Sequence, residues 1–353
     1  MQNLLHDQRK NVPAPQLAGG DLIFVASKID RPLDKRKYMR SGTNLERFRA
    51  KVEQSGILDS EPAWGDLAFL PEWAVKMAVF PGKRLAPVEP GEPLNLDPLG
   101  ERIQDGKRPA KNLFWERSAG QPGQDRVVIM TDELQYGIPF GMGARWTLVL
   151  LCRALMDGQQ ALVKNTIGEV LELCGRGTGG GPQGFTVSLR RAFLALIHCE
   201  IIYKRDETLI EERVSPFQAP QRPSCWATDP LRFKITGFNP SFVEYVSEDR
   251  GVPVDVRRLA VLLRDVLAFD LLVFLGWRAC SIQETRVLIG WPCLMGRLGS
   301  QIGRTRDFRR NVKMALEKIE ILWPGFDYEV KKDGLILYES PALFNVPSSP
   351  ASL

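Results

Sequence analysis

Histidine and paired cysteine are what this sequence most lacks. Its 353 residues contain two histidines, His6 and His198. A metal-dependent nickase takes a cluster of histidines beside a tyrosine nucleophile, and Ser-His-Asp or Cys-His chemistry takes a histidine free to move a proton. His198 lies in an apolar helical pattern and reads as a packed residue, so neither chemistry is expected. The six cysteines at 152, 174, 199, 225, 280 and 293 include no CxxC pair. This spacing gives neither a zinc site nor a disulfide framework, and a reducing, cytoplasmic setting is expected. No DxD or paired-carboxylate motif marks a magnesium site. The expectation is therefore a protein with no catalytic residues, no metal and no cofactor. Long apolar runs are missing too: 146–151 and 271–275 are far shorter than a membrane span, and no apolar leader segment is visible. No membrane partner is expected.

What is present is an ordinary globular composition, 44% apolar and 25% charged, with a net charge of +5. The length allows two domains with room to spare. The mild net charge hides a cluster. Between residues 28 and 51, nine basic side chains face three acidic ones. Clustered cations of this kind neutralise phosphates, although a solvated basic tail carries the same pattern. Residues 1–60 read as a basic, mostly flexible tail with one short helix near 44–54. Residues 61–130 read as an ordered arm, apolar over 64–80, followed by a Pro/Gly-rich linker.

The richest stretch is 303–323, GRTRDFRRNVKMALEKIEILW. Phe308, Val312, Leu316 and Ile319 form one apolar helical stripe. Arg306, Arg309, Arg310 and Lys313 recur at i, i+3, i+4 and i+7 and form a second, cationic stripe, with Arg304 just ahead. Two strand-like runs follow, 327–330 and 335–338, around the turn Lys331-Lys332-Asp333-Gly334, whose Asp-Gly is a hairpin signal. A basic helix followed by a basic-tipped hairpin suits a winged-helix unit, with the helix in the major groove and the hairpin on the backbone. A solvated helix face and a plain surface turn are the alternatives.

Upstream, helices at 256–263, 268–280 and 292–298 and a strand at 287–289 complete this unit, over 248–341, with a short tail at 342–353. An earlier block, 131–247, follows a similar plan: an apolar helix at 143–156, a short helix at 166–174, a third helix at 185–199, then strands at 201–203 and 232–236. On the third helix, Thr186, Ser188, Arg190 and Arg191 are candidate phosphate and base ligands, while Leu189, Phe193 and Leu196 point inward. The run 175–184 holds six glycines but lacks the GK[ST] ending of a P-loop, and reads as a helix–helix loop. The fold class expected is α+β, two winged-helix domains in tandem with a partly disordered N-terminal extension.

Several segments resemble one family in order. YGIPFGMGARWTLVLL at 136–151 resembles the stretch that opens the first folded domain of RepA-type plasmid replication initiators. LELCGRGTGGGPQGFTVSLRRAFL at 171–194 resembles their TGG-containing helix–loop–helix. VPVDVRRLAVLLRDVLAFDLLVFLGWRA at 252–279, the stretch 290–316 around DFRR, and GLILYESP at 334–341 resemble successive parts of their second domain. No single motif is specific, but the ordered set is. One departure is Gly181-Pro182-Gln183-Gly184, where that family commonly has an aromatic and a basic residue. The resemblance implies binding to repeats in double-stranded plasmid origin DNA, origin opening, and recruitment of a host initiator and helicase, with homodimers formed through the first unit. A transcriptional repressor built from the same units is the alternative from another class.

Overall fold

Mixed α+β structure follows from two periods that alternate along the chain, the near-continuous apolar runs of buried helices and the short β-branched runs of strands. The computed structural model describes residues 42–83, 113–118, 125–131, 137–156, 163–164, 185–205, 211–217, 233–234, 238–247, 250–280, 286–299 and 303–346. The sequence-predicted helix 166–174 and the glycine run 175–184 lie outside the described residues.

Helix α1 (Gly42–Ser55) comes first, then strand β1 (Leu67–Leu70) and the one-turn helix α2 (Glu72–Val75). Strands β2 (Leu113–Ser118) and β3 (Arg126–Thr131) precede α3 (Gly141–Met156). Next are β4 (Val163–Lys164), α4 (Phe185–Ile197), β5 (Glu200–Lys204), β6 (Glu211–Arg213) and β7 (Phe233–Lys234). Helix α5 (Pro240–Val246), with Pro at its first position, is capped by Asn239, whose side chain accepts from the Ser241 amide at 3.1 Å. Strand β8 (Val252–Asp255) runs into α6 (Val256–Val261), where Asp255 caps the amides of Arg257 and Arg258. Then come α7 (Val266–Cys280), β9 (Arg286–Gly290), α8 (Trp291–Leu298), α9 (Thr305–Leu322), β10 (Tyr328–Val330) and β11 (Gly334–Tyr338).

The C-terminal part follows the expected order closely, and α9 has the boundaries that its two stripes predict. Strand β11 lies between β10 and β9 and is antiparallel to both. The earlier block differs from the shared plan. There the hairpin β5–β6 is extended by β3, where the run 126–130 predicts a strand leading into this block, and then by β2, so the end of the segment assigned from sequence to the arm and linker is part of this sheet. The strand between its helices, β4, pairs with β7 instead of joining the hairpin.

Two segments before the first block are stitched to the second. Strand β1 pairs antiparallel with β8, Leu67 opposite Asp255, and also packs on α3. Helix α1, read from its charge as part of a tail, packs on α9 and buries Val52. The Lys51 ammonium donates to the Val261 carbonyl at 2.9 Å, and Lys318 lies 5.9 Å over the Phe48 ring. The short helix expected near 44–54 is therefore present, but it is docked and not part of a flexible tail, because enough apolar surface hides between its charges; residues 1–41 lie outside the described residues.

Where α3 and α4 cross, Gly143 lets the backbones approach. A Cβ at Gly143 would sit 2.6 Å from Ser188 Oγ and 2.8 Å from the Ser188 carbonyl oxygen. The backbone atom cannot swing away, so Gly143→Ala is expected to cost about 1–3 kcal/mol through overpacking. Urea unfolding reads this; an unchanged midpoint would mean that the two helices do not meet so closely.

The largest surprise lies inside α3, whose run looked almost wholly apolar and hence simply buried. Arg145, 5% exposed, donates from Nε to Asp270 Oδ1 at 2.6 Å and from Nη2 to Oδ2 at 2.7 Å. Nη2 also donates to the Phe80 carbonyl at 2.7 Å and Nη1 to the Gly141 carbonyl at 3.0 Å. One fork thus ties α3, α7 and the segment after α2 together. Burial pushes the Asp270 carboxyl up, and Arg145 opposes that shift. Arg297 of α8 holds the same segment through the Lys76 carbonyl at 3.1 Å, and Trp115 of β2 through the Val79 carbonyl at 2.8 Å.

Candidate nucleic-acid interface

Helix α9 divides as its period requires. Phe308, Val312, Ala315, Leu316, Ile319 and Leu322 are buried against α7, α8 and α1. Arg304, Arg306 and Arg310 are exposed, while Arg309 and Lys313 are half-buried. The helix starts at Arg304 without a side-chain cap. Its first-turn amides and the positive end of its dipole therefore add to the charge of Arg304 and Arg306, which suits an anion. Asp307 offsets little: its oxygen lies 3.8 Å from Arg310 Nη2, with both side chains well exposed.

The hairpin brings two more cations to this end of the molecule. Its turn is closed by the Lys331 amide donating to the Gly334 carbonyl at 2.8 Å. Gly334 is dictated by its neighbour, because a Cβ there would come within 2.2 Å of the Ile289 carbonyl oxygen. Lys331 and Lys332 are exposed at the tip. Lys331 pairs with Glu329, which also accepts from the Tyr338 hydroxyl at 3.2 Å.

Helix and turn are joined directly. Arg309 donates from Nη2 to the Lys331 carbonyl at 3.4 Å, and its guanidinium lies 5.1 Å over the Trp291 ring. Trp291, buried at the start of α8, donates from its indole to the Lys331 carbonyl at 3.1 Å and from its amide to the Asp333 carbonyl at 3.1 Å. Sequence reasoning missed Trp291, since a tryptophan beside apolar residues reads as core. Its signal was position, next to the strand that would pair with the hairpin.

The second candidate set is placed elsewhere, on α4, which packs on α3. Arg191 is exposed. Ser188 is half-buried at the α3–α4 crossing, where it faces Gly143. The side chains of Thr186 and Arg190 lie outside the described residues. Leu189, Phe193 and Leu196 are buried, as their spacing predicts.

Among the described residues, no group of three or more His, Cys, Asp or Glu side chains could hold a metal ion, and no helix is long and apolar enough to cross a membrane. His198 and Cys199 are buried, and burial pushes the Cys199 thiol upward, away from a nucleophilic thiolate. Comparisons with protein-family models, with curated proteins and with solved structures find no match for this chain.

Proposed function

We propose that this chain is a double-stranded DNA-binding protein that reads its site with α9 and grips the backbone with the β10–β11 turn, as a winged helix does. The observation that carries the reading is the joining of two basic elements at one place. The exposed Arg304 sits at the N-cap of α9 and the exposed Arg306 and Arg310 lie on it, the exposed Lys331 and Lys332 lie on the turn, and Arg309 spans from one element to the other. The order α7, β9, α8, α9, β10, β11, with β11 central in its sheet, supports the winged-helix assignment for 248–341. The earlier block, 131–247, is proposed as a second, more divergent unit of this kind, with Arg191, Thr186 and Arg190 as further backbone contacts.

The motif resemblance extends the reading to plasmid replication initiation. In that role the protein binds repeated sites in its origin, bends the DNA at a cost on the order of several kcal/mol, and hands the opened origin to a host initiator and helicase. Homodimerisation through the first unit belongs to the same proposal. No cofactor is needed, because binding energy does the work.

Footprinting on the DNA flanking its gene tests the role. Evenly spaced, protected direct repeats are expected. A single protected palindrome over a promoter would replace initiation with repression. The salt response tests the interface itself. Each neutralised phosphate contributes about 0.9 to the slope of log affinity against log salt, so five exposed cations predict a slope of about −4.5. A flat response would mean that this face does not bind DNA.

A further inference from the structure

We propose that Arg309 and Trp291 form a clip that sets the position of the hairpin turn, so that Arg309 serves DNA binding through Lys331 and Lys332 and not by touching a base. The proposal rests on the DNA-binding reading and divides the labour within it: Arg309 is a positioning residue. Three donors converge on two carbonyls of one turn. The Trp291 indole N–H and Arg309 Nη2 both reach the Lys331 carbonyl, at 3.1 and 3.4 Å, and the Trp291 amide reaches the Asp333 carbonyl at 3.1 Å. A carbonyl oxygen has two lone pairs, so the Lys331 oxygen is fully used.

Trp291 is 2% exposed and locked in the core, at the point where β9 passes into α8. Gly290, just before it, lies opposite Gly334 in the sheet. The anchor is thus rigid, while the turn that it holds is a solvent-facing tip on a hairpin whose β10 strand has three residues. Strand β9 holds β11 along its whole length, so the clip bears on the parts that β9 does not reach, the edge strand β10 and the turn itself. A guanidinium reads guanine by presenting a free, planar fork. One arm of the Arg309 guanidinium, Nη2, already reaches the turn, and its carbon lies 5.1 Å from the centre of the indole ring, whereas Arg306 and Arg310 on the same helix are exposed. A Lys ammonium has no guanidinium N–H that could reach the Lys331 carbonyl while the charge stays over the indole, so Lys is a poor substitute at this position.

The test uses the full chain, Arg309→Met, Lys331→Ala/Lys332→Ala, and the triple variant. Circular dichroism and thermal unfolding check that Arg309→Met folds; Arg309→Lys, which keeps the charge and loses the guanidinium, takes its place if it does not. Hydrogen exchange of amides 328–338 reads the clip without DNA. Faster exchange in the Arg309 variant is expected, and unchanged exchange overturns the proposal. Anisotropy titration of a labelled mixed-sequence duplex reads the consequence. Losing Arg309 lowers affinity by up to about thirtyfold, the most that two exposed ion contacts supply together, and flattens the salt slope by about 2. In the lysine-free background it causes no further loss. An equal further loss there overturns the proposal, since Arg309 then touches DNA itself. If the unaltered chain fails to bind the duplex at low salt, the DNA-binding reading fails on its own, and the exchange result alone decides the clip.

Discussion

Replacing Asp270 by Ala is expected to destabilise the protein by about 3–5 kcal/mol, because it strands Arg145 as an uncompensated buried charge. The Arg145 and Asp270 side chains are 5% and 9% exposed, so water cannot take over from the lost carboxylate. The carbonyls of Phe80 and Gly141 remain as partners, but they carry no net charge. Arg117 loses as well. Burial already lowers its affinity for the proton, Asp270 is the main influence opposing that shift, and among the described residues Nε and Nη2 of Arg117 have no hydrogen-bond partner. The double change Arg145→Met/Asp270→Leu should recover most of the loss, since an apolar pair of similar volume often equals a buried ion pair. Urea unfolding of the three proteins measures both effects. The pair joins α3 to α7, so Asp270→Ala should also separate the unfolding of the two blocks. A loss below about 1 kcal/mol would mean that the junction is wetter than its burial indicates.

The second large effect is on DNA. Arg306→Ala/Arg310→Ala is expected to weaken specific binding by about 1–3 kcal/mol for each of the two arginines that reads a base. Both side chains project from an exposed face, and among the described residues Arg310 has only the loose contact with Asp307. Folding stability should therefore change by no more than about 0.5 kcal/mol, which separates a binding defect from a folding defect. Titrating the footprinted site alongside unrelated DNA sorts the contacts. Base readers lose the difference between the two, while phosphate contacts lower both alike. Equal affinity of the variant and the unaltered chain would take α9 out of the groove.

Local pattern was legible where one side chain period governs one element. The stripe of Phe308, Val312, Leu316 and Ile319 sets α9 to its observed residues, and Asp333-Gly334 marks the turn between β10 and β11. The candidate cations could be found for the same reason, since they occupy the face that the stripe leaves outside. Arg309 shows where that logic stops. Its spacing puts it among the base-facing arginines, yet its Nη2 donates to the turn and its guanidinium lies over Trp291, and both partners lie about twenty positions away along the chain. Ser188 is similar: a polar residue near a helix start reads as a ligand, but the bare Gly143 opposite draws it into a helix crossing.

The sequence by itself determined the α+β class, the helices and hairpin of the C-terminal block, and the set of cations presented there, because these depend on neighbours within a few residues. Only the tertiary structure decided how the pieces join. It put β1 beside β8, α1 on α9, and Arg145 on Asp270. These contacts link positions more than a hundred residues apart. An arginine in an apolar run carries no local mark of the carboxylate that will meet it, and the pairing exists only once both helices have lost their water.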